Sequence, residues 1–516
     1  MKFNKLSWCL GLLFIASTGL AQMYTVTDLG TIHSGDSAWS IATGINESGQ
    51  VVGVSDSNEL GSQFHAFRTA PNTPINPATD DFGPDTFAVG INNSAQVVGF
   101  FYPNRPQDNT APAHSFRTAP NRRLDPATDD LDTTLGLGQY EGSQVYGIND
   151  SGQAVGVYFG PSPFGEHSFL TAPNMPINPK TDDIGGPPGE IQVSEAYAVN
   201  SFGQVVGMFG SSTAPGHGFR TAPNRPINPA TDDVGTLSNT PHNRSVAYGI
   251  NDLGQAVGGS IPFYSVSDGI VFVAAFSDDD DPTLPSHAFR TAPNRPINPA
   301  TDDLGALGGN LSVGIGIDNF SQVVGFSNLL PGYVSYHAFL HSGRVMHDLN
   351  DLIPASSGWE LSAAIGINSK GQIAADGVRN GSGRALLLTP IYRAFVQRPI
   401  DADGSSVFSA KRGIIPVKFA VTKYGKYASC SLPATIAVTR AAHGTVIPVD
   451  ESTYSKDEDN GSNFRIAGCR YHYNLPARSL GAGTYRVDIS IRGVMVGHAV
   501  FTIASGRHEK HEDEED

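Results

Sequence analysis

The chain has 516 residues with 39% hydrophobic and 16% charged side chains, and 58 Gly and 35 Pro place the surplus in ordered turns, below the level of a low-complexity chain. At this length more than one domain is expected. Acids outnumber bases 49 to 33 for a formal charge of -16, the wrong sign for a nucleic-acid binder, which needs a cationic surface to release counterions.

Residues 1–21 have the form of a secretory signal: Lys2 and Lys5, an apolar run from Leu10 to Ile15, and Gly19-Leu20-Ala21 as a small-x-small cleavage site. The apolar run is too short for a retained membrane anchor, which needs about 20 residues. No later stretch is long and apolar enough to span, so the mature chain from Gln22 is expected in the cell envelope, periplasm or medium. Loss of Lys2 and Lys5 takes the formal charge from -16 to -18. Cleavage also removes Cys9 and leaves Cys430 and Cys469, which read as one disulfide in an exported protein, with two free buried thiols as the alternative.

The mature chain opens with Tyr24-Thr25-Val26-Thr27-Asp28-Leu29-Gly30, and a Gly-Ile-Asn-x-x-Gly-Gln-x-Val-Gly unit then recurs to residue 390. Its Asn or Asp falls at Asn46, Asn92, Asn149, Asn200, Asn251, Asp318 and Asn368, with spacings of 46, 57, 51, 51, 67 and 50 residues. About 50 residues is the length of one four-stranded propeller blade. Two short apolar runs flank Asn149-Asp150-Ser151-Gly152, where Gly152 can supply the positive φ of a tight hairpin; a helix of this composition would be broken by its glycines.

Each unit continues with His-x-Phe, at His65, His114, His167, His217, His287 and His337, decayed to Arg384-Ala385-Leu386 in the seventh copy. Thr-Ala-Pro-Asn follows in the first five, and a fourth strand is expected around the closing Asp, as in Thr301-Asp302-Asp303-Leu304-Gly305. The opening segment matches a fourth strand, whereas the last unit stops after its third at Pro390. That offset predicts a seven-bladed β-propeller closed by its N-terminal strand; a linear β-solenoid, the alternative, would need polar caps at both ends.

The segment His337-Ala338-Phe339-Leu340-His341-Ser342-Gly343-Arg344-Val345-Met346-His347-Asp348-Leu349, together with the Gly-Ile-Asn units, resembles the HAF-repeat family of bacterial extracellular repeat proteins over residues 24–390. Five copies depart from the family pattern, carrying Thr-Ala-Pro-Asn-x-x-(Ile/Leu)-(Asn/Asp)-Pro-x-Thr-Asp-Asp in place of Gly-x-Met-x-Asp-Leu-Gly. The resemblance implies export and a propeller-like array, and no established activity.

A histidine repeated in every blade is expected to build the blade, through a hydrogen bond from the imidazole to a neighbouring strand or turn. The Asp-Asp pairs after Thr, such as Asp232/Asp233, are expected to cap backbone N–H groups in turns. Asp278, Asp279, Asp280 and Asp281 are not repeated. They lie in the insertion 259–286 and are a weak calcium candidate, with a solvated acidic loop as the simpler reading. No other cofactor is expected. The sequence contains no Gly-x-Ser-x-Gly elbow, no phosphate loop and no sialidase-type box.

Past Pro390 the period gives way to alternation, which predicts two separate cores. Tyr485, Val487, Ile489 and Ile491 interleave with Arg486, Asp488, Ser490 and Arg492, and further strands are expected at Val417–Val421, Ile436–Val438, Tyr471–Tyr473 and Phe501–Ile503. An immunoglobulin-like β-sandwich over 391–505 fits, and Pro416-Val417-Lys418-Phe419 resembles the motif of PxKF-type domains at the ends of exported bacterial proteins. Residues 506–516 form an acidic tail expected to be disordered. The expected function is non-catalytic binding or scaffolding of an extracellular protein or polysaccharide, without nucleic acid or a membrane span; the alternative is a glycan-binding or glycan-acting propeller, lectin or hydrolase.

Overall fold

The computed structural model describes residues 23–35, 38–56, 64–103, 112–135, 142–159, 166–185, 193–211, 214–238, 244–261, 265–267, 270–272, 286–331, 335–401, 404–409, 411, 413–424, 427–430, 432–442, 445–448, 464–491 and 493–504. The signal segment, the acidic tail and Asp278–Asp281 lie outside these residues. The chain is all-β, built from many small antiparallel sheets with a few single-turn helices.

Each Gly-Ile-Asn unit forms the hairpin between the first two strands of a sheet. In the first, Ser40–Ile45 pairs with Val51–Asp56, which pairs with Phe64–Arg68, which pairs with Asp81–Pro84. The Asn46 side chain organises the turn: its Oδ1 accepts from the Ser48 and Gln50 N–H groups, and its Nδ2 donates to Gln50 Oε1. Gly49 takes the positive φ that the turn requires, at 81°.

The first strand of every sheet carries an extra residue three positions before the Asn, a bulge that lies at Thr43, Val89, Tyr146, Tyr197, Tyr248, Ile315 and Ile365. The bulge presses a backbone carbonyl onto the glycine of the Val-Gly pair on the second strand. A Cβ on Gly53 would meet Ile41 O and the Phe67 ring closer than real Cβ atoms approach anything, which explains the glycine chemically. The Phe of each His-x-Phe lies over this glycine and is fully buried, at Phe67, Phe116, Phe169, Phe219, Phe289 and Phe339. Each such burial contributes roughly 1.5–3 kcal/mol.

The fourth strand differs from expectation. It is present in the first, fourth and sixth sheets, but in the second, third and fifth only single bridges remain, Phe116 to Asp130, Phe169 to Asp183 and Phe289 to Asp303. The prolines of Pro-Ile-Asn-Pro cannot donate to a ladder. The second starts a single helical turn, as in Pro77–Asp80, capped by Asn76 accepting from the Ala78 N–H.

Sheets are tied to their successors by the same bonds each time. Asn46 Nδ2 donates to Asn92 O, Asn92 to Asn149 O, Asn149 to Asn200 O, Asn200 to Asn251 O and Asn251 to Asp318 O. The bond then recurs from the seventh unit to the first, Asn368 Nδ2 to Asn46 O at 3.0 Å. Gln96 Nε2 reaches Asn174 of the next Thr-Ala-Pro-Asn, and Gln372 Nε2 reaches Asn72 of the first. The Ala66 N–H donates to Thr86 Oγ1 of the next sheet, and the Ala385 N–H to Ser40 Oγ of the first. The N-terminal strand Tyr24–Asp28 pairs antiparallel with Ser382–Pro390, Tyr24 opposite Pro390, and completes the four-stranded sheet that also contains Glu360–Ile367 and Ile373–Arg379.

After Pro390 two five-stranded sheets follow. One is built on Tyr392–Gln397, Ile414–Lys423 and Arg470–Pro476, the other on Val494–Ala504, Gly483–Ile491 and Ala434–Ala442. The alternating residues Val417, Phe419, Val421, Tyr485, Val487 and Ile489 are all buried. The cores are not separate, in contrast to the expectation from the end of the period. One apolar cluster runs from Leu340, Leu349 and Leu388 into Ile415, Phe419 and Ile489. Polar contacts cross the same junction: the Ile391 N–H donates to Met23 O, and Arg486 Nη2 donates to Phe320 O at 2.6 Å.

Candidate functional site

The seven first strands enclose a cavity of about 690 Å³. Its wall is layered, because a side chain on each strand recurs at the same height in all seven. Next to the Asn turns stand Ile45, Ile91, Ile148, Val199, Ile250, Ile317 and Ile367, an apolar belt of nearly one residue type. The bulge residues form the layer above. There the units diverge: Tyr146, Tyr197 and Tyr248 occupy three consecutive strands, with ring centroids 5.6 and 5.3 Å apart, while the other four strands carry Thr, Val and Ile. A bulge re-aims its residue, and here it turns these rings into the cavity.

Two of the tyrosines have partners on their own strands, Tyr146 Oη donating to Gln144 at 2.7 Å and Tyr197 Oη to Glu195 at 2.6 Å. Burial raises the pKa of Glu195 despite the bond from Tyr197, and burial, with the nearby Glu195 charge, raises Tyr197 and Tyr248. Tyr248 Oη is buried and has no hydrogen-bond partner.

At the end away from the Asn turns, Trp39, Phe64 and Phe87 form an aromatic run, with centroids 5.9 and 4.9 Å apart. Asp376 joins them on the wall. Its Oδ1 accepts from the Ala42 N–H at 2.8 Å, and burial pushes its carboxyl up to about 7. The six equivalent second-strand positions are Val54, Phe100, Val157, Met208, Gly259 and Phe326, so the carboxyl is not needed to build a sheet. No Lys, Arg or His lines the cavity.

The opposite end is polar. A shallower space of about 210 Å³ is bordered by the seven Asn/Asp residues and by Glu47, Asn93, Asp150, Ser201, Asp252, Asn319 and Ser369, which follow them. Several of the latter are linked, the Asn93 N–H donating to Asp150 and the Ser369 N–H to Glu47, again from the seventh unit to the first.

The repeated histidines are not on the cavity wall. Each lies against the second Asp of its own unit: His65 and Asp81 at 2.9 Å, His114 and Asp130 at 3.0 Å, His167 and Asp183 at 3.1 Å, His217 and Asp233 at 2.8 Å, His287 and Asp303 at 2.9 Å, His337 and Asp348 at 2.6 Å. A carboxylate only accepts, so Nδ1 carries the hydrogen. The same Asp accepts from a backbone N–H, such as Gly83 for Asp81. For Asp81, Asp183 and Asp303 burial opposes ionisation, but the bonds from histidine and backbone outweigh it and hold the carboxyl below its usual range. The pair thus fastens the third strand to the turn that ends the unit. The first Asp of each pair caps the preceding turn, Asp232 Oδ2 accepting from the Asn228 N–H.

Cys430 and Cys469 are joined in a disulfide, with Cα atoms 4.4 Å apart. Among the described residues no group of three or more His, Cys, Asp or Glu side chains could hold a metal ion, and no helix is long and apolar enough to cross a membrane. The calcium candidate Asp278–Asp281 lies outside the described residues. Asp376, Trp39 and the three tyrosines were missed by searching for repeated chemistry. Their signal is the reverse, a position where one copy breaks the pattern of the other six, or three copies that of four. No protein-family model matches the chain, and no curated protein matches it significantly.

Proposed function

We propose that residues 22–390 form a seven-bladed β-propeller of HAF-repeat type, closed by the N-terminal strand. In this reading residues 391–505 form an immunoglobulin-like sandwich, and the exported protein acts by non-catalytic binding at or outside the cell envelope. The recurrence of every inter-unit bond between the seventh unit and the first supports closure, as does the pairing of Tyr24–Asp28 with Ser382–Pro390. The disulfide is compatible with an oxidising compartment.

One observation carries the binding reading: seven strands whose other positions are nearly invariant converge on a cavity of ligand size, and only its lining changes from unit to unit. The glycan alternative draws on Trp39, Phe64 and Phe87, whose faces suit stacking on sugar rings. A screen of the mature protein against polysaccharides, glycosides and esters separates the two. Binding without turnover is expected for non-glycan ligands, and hydrolysis of any glycoside or ester overturns the non-catalytic reading.

A further inference from the structure

We infer that the central cavity is a binding site for a small organic cation with an aromatic or alkyl body, recognised by the Asp376 carboxylate and the tyrosine wall. The inference rests on the reading of the cavity as the binding site and adds the class of ligand.

Three observations on different strands converge. Asp376 lies deep in the molecule on the cavity wall, at a position that is apolar in every other unit, and no cationic side chain on that wall neutralises it. A buried carboxylate without a counter-ion is costly, so the site gains most from a ligand that brings the positive charge. Tyr146, Tyr197 and Tyr248 present aromatic surface, and Trp39 and Phe87 add more towards the far end. Aromatic faces attract ammonium groups and stack on flat apolar bodies. Tyr248 is more than nine-tenths buried, and its hydroxyl has no partner in the protein. A buried hydroxyl normally finds a partner, and an ammonium N–H supplies one. The volume of about 690 Å³ suits a molecule of one or two rings. The polar end carries Glu47, Asp150 and Asp252 around its rim, which favours entry of cations over anions.

The test is isothermal titration calorimetry of the mature full-length protein at pH 8, above the value of about 7 to which burial pushes Asp376. Three probes of one shape are compared: 2-phenylethylammonium, neutral 2-phenylethanol and anionic 3-phenylpropionate. The cation should bind at least tenfold more tightly than the alcohol, with no detectable binding of the anion. Asp376→Asn keeps the acceptor for the Ala42 N–H and should abolish the preference for the cation. Tyr248→Phe should weaken the cation about fivefold while leaving the circular dichroism spectrum unchanged. Equal binding of cation and alcohol, or full cation affinity in Asp376→Asn, overturns the proposal and leaves the cavity standing as a binding site. Failure of all three probes to bind overturns both.

Discussion

Among the seven turn residues Asp318 is the exception. Its Oδ1 accepts from the Phe320 and Gln322 N–H groups as the asparagines do, but its Oδ2 is buried without a partner where the others place an Nδ2 donor. Burial pushes this carboxyl up to about 7, against those two bonds and the attraction of Arg486, with Asp488 adding to the rise. An acid whose pKa rises on folding holds more protons in the folded than in the unfolded chain, here between about pH 4 and 7. Its contribution is therefore complete at low pH and is lost as pH rises through that window. Asp318→Asn restores the donor, and the gain should be about 1 kcal/mol, or about 2–4 °C in melting temperature, at pH 8 and much smaller at pH 5. Thermal melts at the two pH values check this, and an equal shift at both would contradict it. The Asn and Gln positions could be read from the sequence as turn chemistry because they repeat. Asp376 could not, since a single acid in a strand gives no hint that its side chain faces a cavity until seven strands are brought together.

The unit of architecture is a bulged hairpin under a phenylalanine. Strands, turns and their order follow from Gly-Ile-Asn-x-x-Gly-Gln and His-x-Phe, whose apolar runs and turn residues are local signals. The bulge is not local, because it shows only in the pairing register. The partner of each histidine lies 11 or 16 residues away, so a repeated His alone points to a structural bond without naming the Asp. The shortened fourth strands of three sheets follow from prolines that the repeat places ahead of the Asp pair. Gly53→Ala tests the bulge: its Cβ would collide with Ile41 O, and a loss of about 3 kcal/mol or more is expected. Gly383→Ala, where a Cβ meets nothing within 4 Å, should cost no more than about 0.5 kcal/mol. Urea titration of both variants decides, and similar midpoints would show that the bulge does not dictate the glycine.

At the level of the molecule, the end of the repeat at Pro390 marks where the pattern changes but not how the two parts meet. Phe320 and Ser342 of the sixth unit receive Arg486, His498 and Met495 from the second part, and the apolar cluster is continuous across the junction. Such a contact depends on surfaces far apart in sequence, so no local pattern announces it. The bond between Cys430 and Cys469 spans 39 residues and is worth roughly 3–4 kcal/mol on the chain-entropy model. Alkylation of the native mature protein followed by mass measurement should add no label before reduction and two after it. Two labels without reduction would contradict the disulfide.

Closure of the repeat by the N-terminal strand is the central claim, and calorimetric unfolding of a variant lacking Tyr24–Gly30 tests it most directly. In a closed array the deletion strips one strand from the seventh sheet and bares the edge of Ser382–Pro390, where unpaired backbone invites association. The account predicts loss of cooperative unfolding across the whole repeat, together with aggregation. In an open array stability is a sum of neighbour terms, and the same deletion would fray one end alone. A truncated protein that stays monomeric and melts within a few degrees of the full-length chain would contradict the closed ring.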